Sequence, residues 1–243
     1  MLNQFSRTKL FFGQDKMDKL KTKKVAIFGV GGVGGYVVEA LARSGIYNFL
    51  LVDSDEVVIT NLNRQIITNL SNIGKLKVDV AKERILEINK EANVETKAIF
   101  YLPETKDEFD FSSYDYVIDC VDTVTAKLSI FEEAKKHNCK LISALGAGNK
   151  LDPLKLEVAD LSKTSVDPLA RVLRAEAKKR GLKNIKVVYS KEEPKEIVKD
   201  DDYYKELEGI HKKNIVASNA FVPSVMGIVI ASEVIKDLIC EMS

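Results

Sequence analysis

Short apolar runs alternate, along the first 150 residues, with longer segments whose apolar positions recur every three or four residues. Apolar runs of four or five residues are typical of buried strands, and the longer spacing is typical of helices packed on a sheet. The pattern predicts strands at Lys24–Phe28, Asn48–Val52, Val94–Phe100, Tyr116–Cys120 and Leu141–Ala144, and helices at Gly32–Ser44, Gly74–Asn89 and Val124–Lys136. This alternation predicts an α/β fold, a Rossmann-like, doubly wound and mostly parallel sheet.

The remaining segments predict further elements of the same fold. A short helix is predicted within Met1–Thr22, strands at Leu156–Ala159 and Ile185–Tyr189, and helices from Pro168 to about Arg180 and over Ala220–Ile239. Lys191–Lys213 is charged with few apolar residues, which favours a mobile loop. We therefore predict a nucleotide-binding domain over residues 1–150 and a strand and helix extension over 151–243 that completes the same fold.

A glycine-rich turn joins the first predicted strand to the first long helix. Gly29, Gly31 and Gly34 satisfy G-x-G-x-x-G, and Gly32 adds a fourth glycine. Glycine allows a tight turn and a close approach of the backbone to a ligand, and the helix that follows directs its positive dipole end at the turn. Asp53 ends the next strand, where it is placed to hydrogen-bond a ribose. The pattern predicts a nucleotide site.

More polar side chains follow than a dinucleotide needs. Asn61, Asn63 and Arg64 cluster soon after Asp53, and Lys77 lies near the start of the predicted helix Gly74–Asn89, where a lysine opposes the dipole and is a candidate phosphate ligand. Asp119 and Asp122 follow another strand and offer the hard oxygen ligands that suit Mg²⁺ on phosphates. An NAD-linked oxidoreductase would fit the glycine turn and Asp53, but these cations and carboxylates count against it.

Composition sets the broad class. The chain has 243 residues, 45% hydrophobic and 30% charged, with a formal net charge of +1, so any surface that binds nucleic acid must be local. Cys120, Cys139 and Cys240 form no C-x-x-C pair, which favours a reducing compartment and counts against structural zinc. We expect a cytoplasmic protein, since the sequence shows no signal-peptide pattern and no uninterrupted apolar run of membrane-spanning length.

Five motifs carry a family resemblance: GVGGVGG, LVDSD, TNLNRQ, GKLKVDVA and DCVD. Their order and spacing are similar to those of the ubiquitin-activating-like adenylyltransferases, which include the molybdopterin- and thiamine-biosynthesis activating enzymes. The resemblance implies ATP and Mg²⁺ as cofactors, with Asp122 serving the metal and Arg64, Lys77, Asp122 and Arg7 in catalysis. The implied nucleotide contacts are Gly29, Gly31, Gly32, Gly34, Asp53, Asp55, Asn61, Asn63, Arg64, Lys77, Asp122 and Thr123. Thr123 departs from the molybdopterin branch, which has asparagine there.

The second half narrows the resemblance. GAGNKLDPLKLEVADLSKTSVDPLARVLR, VVYSKEEP and NAFVPSVMGIVIASEVIKDL resemble the tRNA threonylcarbamoyladenosine dehydratases. The implied reaction is ATP-dependent ring closure on a tRNA adenosine beside the anticodon. The threonyl carboxylate is adenylated, and the substrate's own ureido group then displaces AMP. Intramolecular attack accounts for the lack of an obvious catalytic cysteine.

The resemblance also implies partners. It indicates a homodimer in which Arg7 reaches the partner's ATP, and it leaves room for an accessory sulfur-transfer protein. Arg171–Lys186 carries seven Lys or Arg against Glu176 alone, and these cations would contact tRNA phosphates. The predicted tRNA contacts are Lys163, Arg171, Arg174 and Lys178, with Lys163 and Arg171 nearest the substrate.

Two other functions stay open from the sequence. The first is an adenylyltransferase that activates the C-terminus of a ubiquitin-like sulfur carrier, which predicts pyrophosphate exchange dependent on a protein with a Gly-Gly tail. The second is a nucleotide-binding module without chemistry, such as a redox sensor, which predicts binding without turnover.

Overall fold

The computed structural model describes residues 2–198, 200 and 216–240. Within them a seven-stranded sheet has the order β3-β2-β1-β4-β5-β7-β6, in which only β6 is antiparallel to its neighbour. The strands are β1 (Lys24–Phe28), β2 (Asn48–Val52), β3 (Asn93–Lys97), β4 (Tyr116–Asp119), β5 (Lys140–Ala144), β6 (Leu156–Asp160) and β7 (Lys186–Ser190). The predicted Rossmann-like, doubly wound α/β fold is confirmed.

Strand β3 is shorter than predicted. It is an edge strand paired only with β2, and their last pair is Val52 with Lys97, because β2 ends there. The apolar residues Ile99 and Phe100 therefore leave the sheet instead of extending it, and both line the pocket described below.

The described helices are α1 (Ser6–Phe12), α2 (Gln14–Thr22), α3 (Gly34–Arg43), α4 (Lys77–Ile88), α5 (Val124–Lys136), α6 (Pro168–Lys179) and α7 (Val222–Cys240). The N-terminal segment forms two helices rather than one, because Gly13 at φ +84° turns the chain between them. Helix α4 begins three residues later than predicted. Backbone hydrogen bonds from Gly74 to Val57 and from Lys77 to Asp55 keep this stretch in an extended pairing until Lys77.

Alternate residues of each strand enter opposite cores, as the pleat of a strand requires. In β1, Val25 and Ile27 pack with α3, α4 and α7, whereas Ala26 and Phe28 pack with α5 and a group of aromatic rings. Helix α7 lies directly on α3, and Gly227 makes this possible. A Cβ at that position would collide with the carbonyl oxygen of Val33 and lie 2.8 Å from Cβ of Tyr36. The first turn of the glycine-loop helix is thus held against α7.

The strand order reverses direction at β1, which pairs with β2 on one side and with β4 on the other. A crevice opens at the carboxyl ends of the strands at such a point, and ligands of open α/β sheets bind there. The topology therefore places a ligand site beside the ends of β1, β2 and β4.

Two expectations concern the rest of the chain. Most of the loop predicted at Lys191–Lys213 lies outside the described residues, and its described part, residues 191–198 and 200, forms no helix or strand. Across the described residues, no helix combines the length and the apolar character needed to cross a membrane.

Candidate nucleotide-binding site

A cavity of about 300 Å³ occupies the crevice at the ends of β1, β2 and β4. It brings together residues that are as far apart in the chain as Gly29 and Pro223. The residues predicted from the sequence that line it are Gly29, Gly31, Gly32, Asp53, Asp55, Asn61, Arg64, Lys77 and Asp122. Such a volume and mixed polar lining suit a small-molecule site.

The glycine turn is built by close backbone contacts. Gly29 has φ +89°, and a Cβ there would lie 2.7 Å from the carbonyl oxygen of Cys120, so only glycine fits. A Cβ on Gly34 would collide with the carbonyl oxygen of Gly29. Gly34 is not among the residues that line the cavity, and its nucleotide contact stays a prediction. Its role is to let α3 start directly against the turn.

Asp53 holds the glycine turn in place. Its Oδ2 accepts a hydrogen bond from the Val30 amide at 2.7 Å, and its Oδ1 accepts one from the Asp55 amide at 2.9 Å. A carboxylate can accept about four hydrogen bonds, so both oxygens keep capacity for a ligand hydroxyl. The position of Asp53 fits the predicted ribose contact. The same side chain also fixes the glycine turn at Val30 and the loop at Asp55.

Lys77 places an ammonium in the cavity wall. It is the first residue of α4, only 7% of its side chain is exposed, and its Nζ lies 2.7 Å from Oδ2 of Asp55. Asp55 is 64% exposed. The lysine is thus held by a partner that itself faces solvent, and a phosphate group could replace this carboxylate as the acceptor.

The segment after β2 supplies further polar groups. Asn61 is buried, and its Oδ1 accepts a hydrogen bond from the Val58 amide at 3.2 Å. Arg64 donates to the Thr60 carbonyl oxygen at 2.8 Å and to Asn63 Oδ1 at 2.9 Å. A Cβ on Gly32 would lie 3.4 Å from Cγ of Arg64, so the glycine leaves room for this side chain beside the turn.

Gln65 is a site residue that the sequence analysis did not single out. It lines the cavity and is 5% exposed, and its Oε1 has no hydrogen-bond partner among the described residues. Buried polar atoms are almost always hydrogen-bonded, so this oxygen calls for a donor from a ligand or from water. Its place at the end of the TNLNRQ motif was the available signal.

Asp119, Asp122 and Thr123 have different positions. Asp122 is exposed and lines the cavity. The expectation that Asp119 also faces the crevice is wrong, because its side chain is fully buried and bonded to Lys127 and Ser143 on the far side of the strand end. Thr123 is not among the residues that line the cavity, and its nucleotide contact stays a prediction. Its hydroxyl donates to Asp122 Oδ1 at 3.2 Å.

Ser218 contributes to one wall of the cavity, and it belongs to the segment of residues 216–219. Asn149 holds this segment by two hydrogen bonds of 2.8 Å, one from its amide to the Ala217 carbonyl and one from the Ala217 amide to its Oδ1. Asn63 is not among the residues that line the cavity, and its nucleotide contact stays a prediction. Its Nδ2 donates to the Ser218 carbonyl oxygen at 3.1 Å, so it positions this wall.

Two of the three cysteines are poorly suited to act as nucleophiles. Burial raises the pKa of the Cys120 thiol far above its usual range and raises that of Cys139 to about 11, so both are protonated at neutral pH. The Cys139 thiol donates to the Tyr114 carbonyl oxygen at 3.1 Å. Cys240 is the last residue of α7. Among the described residues, no three His, Cys, Asp or Glu side chains form a group that could hold a metal ion. A metal at Asp122 would need ligands from the nucleotide.

Arg7 lies on α1, away from the cavity of its own chain. Neighbouring contacts place α1 near Tyr47 and Asn89, which precede β2 and β3 and so lie at the amino edge of the sheet. The cavity is at the carboxyl edge. Arg7 could therefore reach a nucleotide only in another copy of the chain.

The predicted tRNA contacts are spread along α6 and its neighbours. Arg171 is exposed in the first turn of α6, which the N-cap Asp167 ties to Lys150 near the crevice. Lys163 follows β6, which runs antiparallel and ends beside the amino end of β7, so it lies at the opposite edge of the sheet. The strand direction does not favour Lys163 as one of the residues nearest the substrate, and that contact stays a prediction. Arg174 donates to the carbonyl oxygen and hydroxyl of Thr164.

The fold and cavity define a nucleotide-binding protein of the open α/β class. Within that class the chain belongs to the ThiF family, which it matches over residues 5–241. It is 45% identical over its full length to the tRNA threonylcarbamoyladenosine dehydratase of Bacillus subtilis (strain 168), of which it covers 97%.

Solved structures agree with this relationship. The chain is similar to Escherichia coli tRNA N6-threonylcarbamoyladenosine dehydratase, TcdA, in complex with AMP, with a TM-score of 0.88 and 30% identity over 98% of this chain and 95% of that one. The TcdA complex with ATP gives a TM-score of 0.86 at the same identity and coverage. The predicted family is confirmed.

Proposed function

We propose that this chain is an ATP-dependent tRNA threonylcarbamoyladenosine dehydratase. The observation that carries the proposal is the full-length similarity to dehydratases, including a solved structure with AMP, together with a cavity that gathers the predicted ATP contacts at the carboxyl edge of the sheet. The sulfur-carrier alternative is not favoured, because the full-length relative is a dehydratase.

The reaction has two steps. A carboxylate oxygen of the threonylcarbamoyl group attacks the α-phosphorus of ATP, and pyrophosphate leaves. The ureido oxygen or nitrogen of the same group then attacks the acyl carbon of the adenylate, AMP leaves, and the ring closes with net loss of one water. No protein nucleophile is required, because the second attacking group is tethered to the first.

The main task of the protein is electrostatic, since a carboxylate must approach a polyanion. Lys77 and Arg64 place cations at the cavity, where they would stabilise charge on the phosphates in the transition state. Asp53 would bind the ribose, and Ile99 and Phe100 would cover the adenine. Gln65 would take a donor from the nucleotide at its unpartnered Oε1.

Mg²⁺ fits the remaining chemistry. Asp122 offers one exposed carboxylate in the cavity wall, and Mg²⁺ is commonly bound by one or two carboxylates plus substrate phosphates. When bound, the ion would neutralise phosphate charge and favour departure of pyrophosphate. Asp122 would hold the ion, and Thr123 would orient Asp122 through its hydroxyl.

The tRNA would dock on α6 and the loop after it. Lys163, Arg171, Lys178 and Lys183 are exposed and form no ion pair within the described part of the chain. Other cations of the same run are already paired. Lys179 pairs with Glu176, Arg180 with Glu132, and Lys186 with Glu233 and Asp237. Two of these unpaired cations, Arg171 and Lys178, lie on a helix about 18 Å long, and Lys163 and Lys183 flank it, which supports phosphate contacts along this segment.

A homodimer would complete the site. Leu10 and Phe11 on α1 are 87% and 85% exposed beside Arg7, and adjacent exposed apolar side chains often mark a protein interface. A second copy that covers them would bring Arg7 to its own cavity. We place the protein in the cytoplasm with its tRNA. A sulfur-transfer protein would be an auxiliary partner only if the purified chain alone fails to turn over its substrate.

The first experiment is AMP release from ATP by the purified protein, with tRNA that carries threonylcarbamoyladenosine and with the same tRNA lacking it. We expect AMP only with the modified tRNA, and mass analysis of nucleosides should show a product lighter by one water. Asp122→Ala should strongly lower both signals, whereas Asp107→Ala, at an exposed carboxylate outside the cavity, should retain them. Pyrophosphate exchange that depends on a Gly-Gly-tailed protein, with no AMP from modified tRNA, would contradict the proposal.

A further inference from the structure

A fully buried ion pair lies beneath the turn that carries Asp122. Lys127 of α5 and Asp119 of β4 have no exposed side-chain surface, and Lys127 Nζ lies 2.9 Å from Asp119 Oδ2. The ammonium also donates to Ser143 Oγ at 3.3 Å and to the Ala144 carbonyl oxygen at 2.7 Å. A lysine has three N–H donors, so all three are satisfied inside the protein.

The carboxylate of this pair reaches the site turn. Asp119 Oδ2 accepts from Lys127 and, at 2.6 Å, from the Ser143 hydroxyl, which leaves Oδ1 to accept from the Val121 amide at 3.1 Å. Val121 and its neighbours Cys120 and Asp122 all line the cavity. The orientation of Asp119 therefore sets the backbone that presents Asp122.

The same ammonium reaches a second loop. Its acceptor Ala144 is the last residue of β5, and Ala147, three residues further, lines the cavity. One buried cation thus connects two of the loops that enclose the nucleotide site. Taking two charges out of water is costly, and apolar residues of similar volume often stabilise a core as well or better. The location of the pair is therefore better explained by geometry at the site than by stability.

We propose that Lys127 is a positioning residue for the adenylation step. It holds Asp119, Asp119 holds the turn over residues 120–122, and this turn holds the Asp122 carboxylate towards the phosphates. Lys127 itself touches no substrate. The proposal rests on the proposed function for its effect on rate, but its effect on the turn can be measured without any reaction.

The structural test is hydrogen exchange of the folded protein. In Lys127→Met, which keeps the side chain's length and removes its charge, the Val121 amide should exchange about 10-fold faster or more, because its acceptor Asp119 is no longer fixed. Amides of β1 should keep their protection. Unchanged exchange at Val121 in a folded Lys127→Met protein would overturn the proposal, whatever the protein's activity.

The kinetic test is a double-mutant cycle with Asp122→Ala. Lys127→Met alone should lower the rate of AMP formation about 10- to 100-fold, as is common for residues that orient a metal ligand. ATP affinity should stay within about 3-fold, since the glycine turn and Asp53 are unchanged. If Lys127 acts through Asp122, the double variant is no slower than Asp122→Ala. If the fold-loss of the double variant equals the product of the two single-variant losses, the residues act independently and the proposal is overturned.

Two further variants separate positioning from folding. Lys23→Met removes a lysine paired with Asp115 just before β1, at the amino edge of the sheet, and should keep near wild-type AMP formation. If Lys127→Met does not fold, Ser143→Ala removes the hydroxyl bond to Asp119 and the longer contact from Lys127, keeps the ion pair, and should give a smaller change in the same direction at Val121. A wild-type protein that releases no AMP would refute the proposed function, while the exchange at Val121 still decides the role of Lys127.

Discussion

Several polar side chains of the cavity are held in place by neighbours in the same chain. Asp53 accepts two backbone amides, and Lys77 is buried against Asp55. Groups held in advance do not have to reorganise as charge develops, and this is a main source of electrostatic catalysis. The residue-scale arrangement therefore suits a reaction whose chief barrier is the approach of two anions.

Lys77 gives the clearest residue-scale prediction. Lys77→Gln should lower the rate of AMP formation by about 100-fold, because the transition state loses a fixed positive charge. ATP binding should weaken less than the rate falls, since Arg64 and the glycine turn remain. The measurement is the rate at saturating ATP together with the dissociation constant from equilibrium titration.

The control for this prediction lies two residues away. Lys75 is 53% exposed, and its Nζ is 3.7 Å from Glu83. Lys75→Gln removes the same charge from the same segment and should leave the rate close to that of the wild type. Equal losses in the two variants would mean that Lys77 acts only through the overall charge near the site.

At the scale of elements, the glycine-loop helix is fixed from two sides. Helix α7 contacts its first turn at Gly227, and helix α4 is tied to its middle through Glu39. Arg84 of α4 donates to both oxygens of Glu39 at 2.9 Å, and Arg43 adds a third hydrogen bond at 2.8 Å. The position of α3 therefore depends on packing and on one carboxylate.

This carboxylate predicts a pH dependence of stability. Burial alone would raise the pKa of Glu39, but the hydrogen bonds from Arg84 and Arg43 outweigh it and lower the pKa below its usual value. A carboxylate whose pKa is lowered in the folded state stabilises the fold at pH values above its unfolded pKa. This stabilisation is lost as the pH falls through the folded pKa. Glu39→Gln should thus cost about 2 kcal/mol of unfolding free energy at pH 7.

The measurement is denaturant unfolding of both proteins at several pH values from 7 down to below 4. The difference between wild type and Glu39→Gln should shrink at the acid end, where Glu39 becomes neutral in both states. A difference that stays constant with pH would show that the side chain contributes through packing alone. Glu87→Gln, at an exposed partner of the same arginine, is the matched control and should cost less at every pH.

At the scale of the whole molecule, tRNA docking depends on which cations are already paired. Lys178→Ala with Lys183→Ala should weaken binding of the modified tRNA and lower the dependence of log Kd on log salt by about 2, because two phosphate contacts are lost. Lys179→Ala with Arg180→Ala removes two charges from the same run but from existing ion pairs. This second pair of substitutions should change the salt slope less. Equal slopes in the two double variants would contradict the assignment of the unpaired cations to tRNA binding.

Dimer formation can be tested by mixing inactive variants. Arg7→Ala and Asp122→Ala should each lose AMP formation if both residues act in catalysis. A mixed dimer contains one cavity with Asp122 from one chain and Arg7 from the other, so an equal mixture after subunit exchange should recover about one quarter of wild-type activity. The measurement is AMP formation before and after exchange, and no recovery in proven mixed dimers would exclude a role across the interface.

Much of the fold and part of the site could be predicted from local patterns. The strand and helix periods, the glycine turn and Asp53 at the end of β2 are all encoded within short stretches, because side-chain period and turn chemistry are local properties. The helix end at Gly181, with φ +64°, is another such signal. These features alone are enough to predict a nucleotide-binding α/β protein.

Only the tertiary structure decided which polar residues share the site. In the sequence, Asp119 and Asp122 are equally good candidates for the site. In the structure, Asp119 is buried against Lys127 and Asp122 lines the cavity, because the backbone at the end of β4 directs the two side chains differently. Ser218 enters the site from a distant segment held by Asn149.

Strand direction made the remaining difference. The sequence predicts both Lys163 and Arg171 near the substrate, but antiparallel β6 carries Lys163 to the opposite edge of the sheet. The sequence by itself determined the elements, the glycine turn and the class of ligand, since these depend on neighbours in the chain. The set of side chains that meet around that ligand depends on strand order, strand direction and helix packing, which are long-range properties that no local pattern contains.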